Sequence, residues 1–470
     1  GWTDMPGYRR AVVRPRLFHD APGRSAFLTA GVTLEDRDGG TLGGRAAPDG
    51  RAFAEALATR RADVGALGRW VLGGAGPLAG AILTARGSAM TQAHAHTFGP
   101  ARERDRHATG FAEASLTRAA GRATTVLGAA WQRERYVARD VAGFDFDFSI
   151  PAVFAQVDVD AASWLALSTS ARLDAHDTYG TVASPRVSAL LRRPATGALA
   201  GWNARLSAGA GFFAPTPFTE ETEVVGLRAI RPLRGLVAER ARSASVDVGG
   251  PLETALGRVE LYGSVFGATV RRPVQLQPEG GDPFPGAERP LALVNARGPV
   301  RSGGAELLAR LVRELGDERA LRVTATYTHL RARECTPTNS GVVFDPAPCP
   351  RREVPLTPRH AAGLVGSVEA EDAWRVGVEV YHTGRQALEE NPFRATSRPY
   401  TVLGVLAERV VETPAGRARL FVNLENLTDV RQTRVDPLVR PAPGPGGRWT
   451  TDVWSILEGR VINGGVRLTR

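Results

Sequence analysis

From Arg417 to Glu425 the chain reads "RARLFVNLE". Ala418, Leu420, Val422 and Leu424 fall on one side of an extended backbone, and Arg417, Arg419, Asn423 and Glu425 on the other, because strand side chains alternate between two faces. The same two-residue period returns from end to end. In "WLALSTSARLD", Leu165, Leu167, Ala171 and Leu173 oppose Ser168, Ser170, Arg172 and Asp174. In "LRVTATYTH", Leu321, Val323, Ala325 and Tyr327 oppose Arg322, Thr324, Thr326 and Thr328. In "WRVGVEVY", Trp374, Val376, Val378 and Val380 oppose Arg375 and Glu379. With Gly, Pro and acidic turn signals as boundaries, the pattern predicts strands over 8–18, 25–36, 60–72, 77–98, 107–119, 122–136, 152–160, 163–177, 185–193 and 202–213. It continues over 237–249, 258–270, 300–314, 319–333, 358–370, 374–383, 399–411, 417–426 and 453–469, about nineteen strands in all. Segment 52–66, "AFAEALATRRADVGA", also admits a helix.

The connections carry a second period. Short turns follow the odd strands, among them "APGR" (21–24), "AAG" (119–121), "ELGDER" (314–319), "EAEDA" (369–373) and "ETPAG" (412–416). Longer excursions follow the even ones, the largest being 214–236, 271–299, 334–357 and 427–452. Long strands with tight turns at one end and long loops at the other predict an outer-membrane β-barrel. A soluble sandwich uses strands of about 5–6 residues and shows no such parity. Lipid then covers the apolar face, and the charged face lines a watery lumen. A closed sheet leaves no backbone edge unpaired in hydrocarbon. Trp131, Trp202 and Trp374 lie near strand ends, where an interfacial girdle belongs. Single-chain bacterial barrels have even strand numbers. An odd count starting on the long-loop side therefore predicts further strands before Gly1.

Composition narrows the function. No apolar run approaches the ~20 residues of a membrane-spanning helix. The net charge of +10 is carried by arginine, since the 470 residues contain no lysine. These arginines alternate with apolar residues or sit in loops, without a recognition helix or an aromatic RNA platform, so no nucleic-acid partner is expected. No Gly-x-Ser-x-Gly elbow and no HExxH motif is present, and no enzyme activity or cofactor is expected. "GGAGPLAG" (73–80) falls where a turn is expected, with Pro77 against a helix start, and reads as a turn and not a phosphate loop. Cys335 and Cys349 share one long loop. On an exported chain they read as a disulfide, with two free thiols as the alternative; two thiolates without finger spacing do not make a metal site. His94 and His96 share a strand face and read as polar lumen or loop residues, because a metal would need ligands not visible nearby. The acidic run "TEETE" (219–223) reads as a solvated loop.

Several stretches resemble the C-terminal barrel of TonB-dependent outer-membrane receptors. "SPRVSALLRR" (184–193) and "WNARLSAGAGFFAPTPFTEE" (202–221) look like its paired strands ending in Gly-Phe-x-Ala-Pro. "LVNARGPVRSGGAELLARL" (293–311) is similar to its Asn-Ala…Gly-x-Glu-Leu strand, and "FVNLENLTDVRQT" (421–433) to its penultimate strand. The resemblance implies a 22-strand-type barrel, of which 1–470 supplies about nineteen strands, with signal peptide, TonB box, plug and about three strands preceding it. It implies a monomeric receptor in the outer membrane of a Gram-negative bacterium, with lipid around it and TonB acting through the preceding region. Its ligand would be extracellular and siderophore-like, its function TonB-energised uptake. A passive porin-like channel and an exported non-transporting β-protein are the alternatives.

Overall fold

The computed structural model describes residues 2–41, 43–193, 196–197, 199–218, 226–278, 291–316, 318–336, 349–389, 391–414, 416–442, 444 and 449–469. Its strands are β1 (Trp2–Val13), β2 (Arg16–Ala21), β3 (Arg24–Thr41), β4 (Ala54–Val71), β5 (Ile82–Phe98), β6 (Ala101–Ala120), β7 (Ala123–Ala138) and β8 (Phe146–Ala162). Next come β9 (Leu165–His176), β10 (Gly180–Arg192), β11 (Asn203–Phe213), β12 (Glu239–Thr254), β13 (Gly257–Arg271), β14 (Val274–Pro278), β15 (Leu291–Asn295) and β16 (Val300–Gly316). The last are β17 (Arg319–Cys335), β18 (Arg351–Glu353), β19 (His360–Ala370), β20 (Trp374–Thr383), β21 (Tyr400–Thr413), β22 (Gly416–Glu425) and β23 (Val461–Thr469).

Twenty-one of these strands make one sheet, and β14 and β15 form a separate hairpin. All ladders are antiparallel and join successive staves, β13 pairing with β16 past the β14–β15 hairpin. β1 and β2 share the same edge of β3 on either side of Arg14–Pro15, where proline has no N–H to give the ladder. β18 lengthens β19 along β17. The wall therefore has nineteen staves, as the alternation predicts. Among the described residues β1 and β2 pair only with β3, and β23 only with β22, so the sheet keeps two open edges. No described helix is long and apolar enough to cross a membrane.

The two faces differ as the sequence predicts. Leu127 is 55% exposed and Ile462 75% exposed on the outer face. Arg322, Glu369, Arg375, Glu379 and Asn423 line a groove of about 440 Å³ on the concave side. There Arg322 and Arg375 both bond the Glu369 carboxylate, at 2.7 and 2.8 Å. Trp70, Trp164, Trp202 and Trp374 mark the turn end of the wall, whereas Trp131 lies in the middle of β7 and not near a strand end as expected. The Trp131 indole donates to Ser149 Oγ (3.0 Å), and the Trp202 indole to the Pro251 carbonyl (2.8 Å).

The structure corrects several boundaries. Segment 52–66 is not helix: its residues 54–66 are strand, within β4. The strand expected at 77–98 begins at Ile82, because Leu78–Ala81 close turns with Leu72 and Gly76. The strand expected at 453–469 begins at Val461, because Trp454 and Ser455 are held in the preceding loop. The connection parity has four departures. Segments 72–81 and 193–202 are longer than tight turns, whereas 99–100 and 177–179 are tight where excursions were expected. The run at 219–223 lies outside the described residues.

Candidate functional site

At the loop end, the lumenal faces of β5 to β9 form a cleft of about 540 Å³. Register builds it: Gln92 stands opposite His107, His94 opposite Asp105, His107 opposite Tyr136 and Glu134 opposite Phe148. Residues opposed on antiparallel strands point to one face, so these side chains converge although they lie far apart in sequence. His94 Nδ1 lies 3.1 Å from Asp105 Oδ1, and its Nε2 lies 2.7 Å from the Gln92 amide nitrogen. His107 Nε2 lies 2.9 Å from Glu134 Oε1. His96 shares the face of His94 but lies tilted against Phe98, with ring centroids 3.7 Å apart, and its Nε2 has no hydrogen-bond partner among the described residues. Among the described residues no group of three or more His, Cys, Asp or Glu has metal-binding geometry.

Aromatic rings line the rest. Tyr136 meets Phe218 edge-on at 4.6 Å, and Phe146 stacks on Phe148 at 4.5 Å. Phe148 meets His176 at 4.8 Å, and His176 meets Tyr179 at 4.8 Å. The backbone N–H groups of Thr178 and Tyr179 donate to His176 Nδ1, which places the ring proton on Nε2. Asp177 lies 3.3 Å from that same Nδ1 and so accepts no bond from it. The Tyr179 hydroxyl donates to the Pro215 carbonyl at 2.7 Å, and burial pushes its pKa up, which keeps it a donor.

The loop after β11 forms one side of the cleft through Ala214, Thr216 and Phe218. Glu103 holds its return: both carboxylate oxygens accept backbone N–H groups, from Leu227 (3.0 Å) and Arg228 (2.9 Å), at the start of a 3-10 turn. Gly226 precedes that turn at φ 76°, where a side chain would also crowd Glu103 and Phe98. Behind it Tyr136, Phe144, Leu227, Ile230 and Leu291 form a buried apolar cluster. Burying such side chains is worth about 1.5–3 kcal/mol each, enough to fix the loop and the β14–β15 hairpin against the wall.

The structure joins Cys335 to Cys349, with Cα atoms 5.6 Å apart. A Cβ at Gly298 would strike both sulfurs, so the bridge packs against the chain leaving the hairpin. The Gln275 amide donates to Glu334 and to the Cys335 carbonyl, and Arg352 links Glu334 with Glu389. In the loop before β23, Gln432 is fully buried. Its carbonyl accepts the N–H groups of Trp454 (2.8 Å) and Ser455 (3.2 Å), and its amide donates to the Asp452 carbonyl (2.7 Å).

Sequence reasoning singled out His94, His96 and the two cysteines. It missed Asp105, His107, Glu134, Tyr136 and His176, which no local motif connects. Ladder register alone brings them together.

A nineteen-stave meander with an apolar outer face, a charged inner face and a loop-lined mouth is the architecture of an outer-membrane β-barrel. The chain belongs to the TonB dependent receptor-like β-barrel family, whose model matches residues 20–427. No curated protein matches it. Among solved structures it is similar to a mutant ferric enterobactin receptor (PfeA) of Pseudomonas aeruginosa in complex with enterobactin. The TM-score is 0.67 at 14% identity, over 98% of this chain and 70% of that one. The FrpB iron transporter of Neisseria meningitidis gives 0.66 at 12% identity, over 98% and 72%. The ferric-catecholate import receptor Fiu of E. coli gives 0.62 at 12%, over 98% and 74%. At such identities the likeness is one of fold.

Proposed function

We propose that this barrel is the wall of a receptor for TonB-energised import of an extracellular iron chelate of the siderophore class. The loop-end cleft carries the proposal. Its rings Tyr136, Phe148 and Phe218 suit a planar aromatic chelator, and its His–carboxylate pairs offer polar donors beside them. The named functions of PfeA, FrpB and Fiu, all concerned with iron, support the reading. On this proposal TonB acts through a preceding plug-bearing region, about three further staves bridge the open edges, and the unit works as a monomer in lipid.

The test uses the whole chain refolded in detergent and titrated with an iron(III) tris-catecholate while tryptophan fluorescence is followed. Saturable quenching is expected, weakened about tenfold, or by about 1.4 kcal/mol, in Tyr136→Ala/Phe148→Ala. Quenching that never saturates, or that the double variant leaves unchanged, would remove the cleft from the transport path and favour a passive channel.

A further inference from the structure

Above its apolar belt the outer face carries a row of arginines. On β12, β13, β16 and β17 the positions that share a face with Val246, Val265, Leu307 and Tyr327 become arginine toward the loops: Arg242, Arg271, Arg301, Arg331 and Arg333. All five are exposed. Register sets them side by side. Arg242 and Arg301 both oppose Thr269, Arg301 opposes Arg333, and Arg240 opposes Arg271. The rung Arg242–Thr269–Arg301–Arg333 crosses three interstrand spacings, about 14 Å.

Like charges directly opposed on a ladder repel, yet none of the five forms an ion pair among the described residues. Glu353, which opposes Arg333 at the end of the rung, is held by Arg359. Three outer-face arginines elsewhere on the rim are neutralised within the chain: Arg60 by Asp36, Arg104 by Asp140 and Arg133 by Asp147. Among the described residues Arg102, Arg106 and Arg135 are also exposed on the outer face without an ion pair, but the five-arginine row differs in setting like charges directly opposite one another on adjoining strands.

Its height says what lies there. On β17 the outward positions Leu321, Val323, Ala325 and Tyr327 are apolar. Arg331 is four residues beyond Tyr327, about 13 Å along the strand and about 10 Å in height at barrel tilt. That is the depth of headgroups just outside the hydrocarbon. Arginine forks bind phosphate bidentately, and a 14 Å row engages more than one phosphate at once.

We propose that this row binds the phosphorylated sugar headgroup of an outer-leaflet glycolipid carrying two phosphates. The inference rests on the outer-membrane placement and is independent of the ligand imported. The full chain, refolded in a neutral detergent, would be mixed with bisphosphoryl lipid A, and retained lipid counted by native mass spectrometry. Retention is expected to fall about tenfold in Arg242→Gln/Arg301→Gln/Arg333→Gln and for monophosphoryl lipid A, and to weaken as salt rises. Equal retention by the triple variant would overturn the proposal. So would equal retention of zwitterionic phosphatidylethanolamine by the unaltered chain, a result that does not depend on the variant folding. Release of the lipid by inorganic phosphate at matched phosphate concentration would overturn the lipid as occupant.

Discussion

Asn426 and Asp429 show how a motif becomes geometry. Both hold a left-handed backbone, at φ 51° and 55°, which Asn and Asp tolerate better than most side chains. The Asn426 side chain bonds the N–H and C=O of Val430 at 2.9 and 2.8 Å, and so closes the turn at the top of β22. Arg104 and Asp140 give a residue-scale test in acid. The Arg104 guanidinium, with its backbone N–H at 2.8 Å, holds the Asp140 carboxyl down at about 2. A carboxylate normally titrates near 3.9. The folded value is the lower one, so the pair stabilises fully above about pH 4 and is lost as pH falls through about 2. Asp140→Asn should therefore shrink the drop in melting temperature between pH 5 and pH 2, and leave melting near pH 7–8 without pH dependence of its own. The Asn-Leu-Thr-Asp spacing was legible in the sequence. The Arg104–Asp140 pair was not, because its partners stand on different elements.

Strands were legible wherever one face meets lipid. At the loop ends alternation fades, because Arg102, Arg104 and Arg106 on the outer face of β6 alternate with Glu103 and Asp105 on the inner one. Both faces are polar there, so the reading began this strand at 107, whereas the ladder to β5 begins at Ala101. The converse error lies at 453–460, where an alternating stretch is held in the loop by Gln432. Cleft residues were hidden for a related reason: a lumenal polar position looks the same whether or not its neighbours converge with it. At this scale the Cys335–Cys349 bridge, 14 residues apart, acts on the neighbouring hairpin. Cys335→Ser/Cys349→Ser should lower stability by up to about 3 kcal/mol in the chain-entropy model, read from urea unfolding in detergent. Hydrogen exchange at β14 and β15 should rise with it. Exchange identical to the unaltered chain would mean that Gln275 and Arg352 hold the hairpin without the bridge.

For the whole molecule the open sheet sets the order of stability. Interior staves such as β5, β6 and β7 are paired on both sides, while β23 is paired on one. Amides of β23 and of β1 should exchange ahead of those of β6 in the refolded chain. Equal protection would mean that the edges meet in solution. The uneven loops have another consequence. Between β5 and β6 the rim is two residues long, and between β9 and β10 three, while the connections after β13, β17 and β22 occupy 272–299, 336–359 and 426–460. Length is thus spread unevenly around the rim, and the aromatic cleft lies below its short connections, walled on one side by the loop after β11. An antibody raised against the native rim would find most of its peptide epitopes in the long connections and few in the short ones.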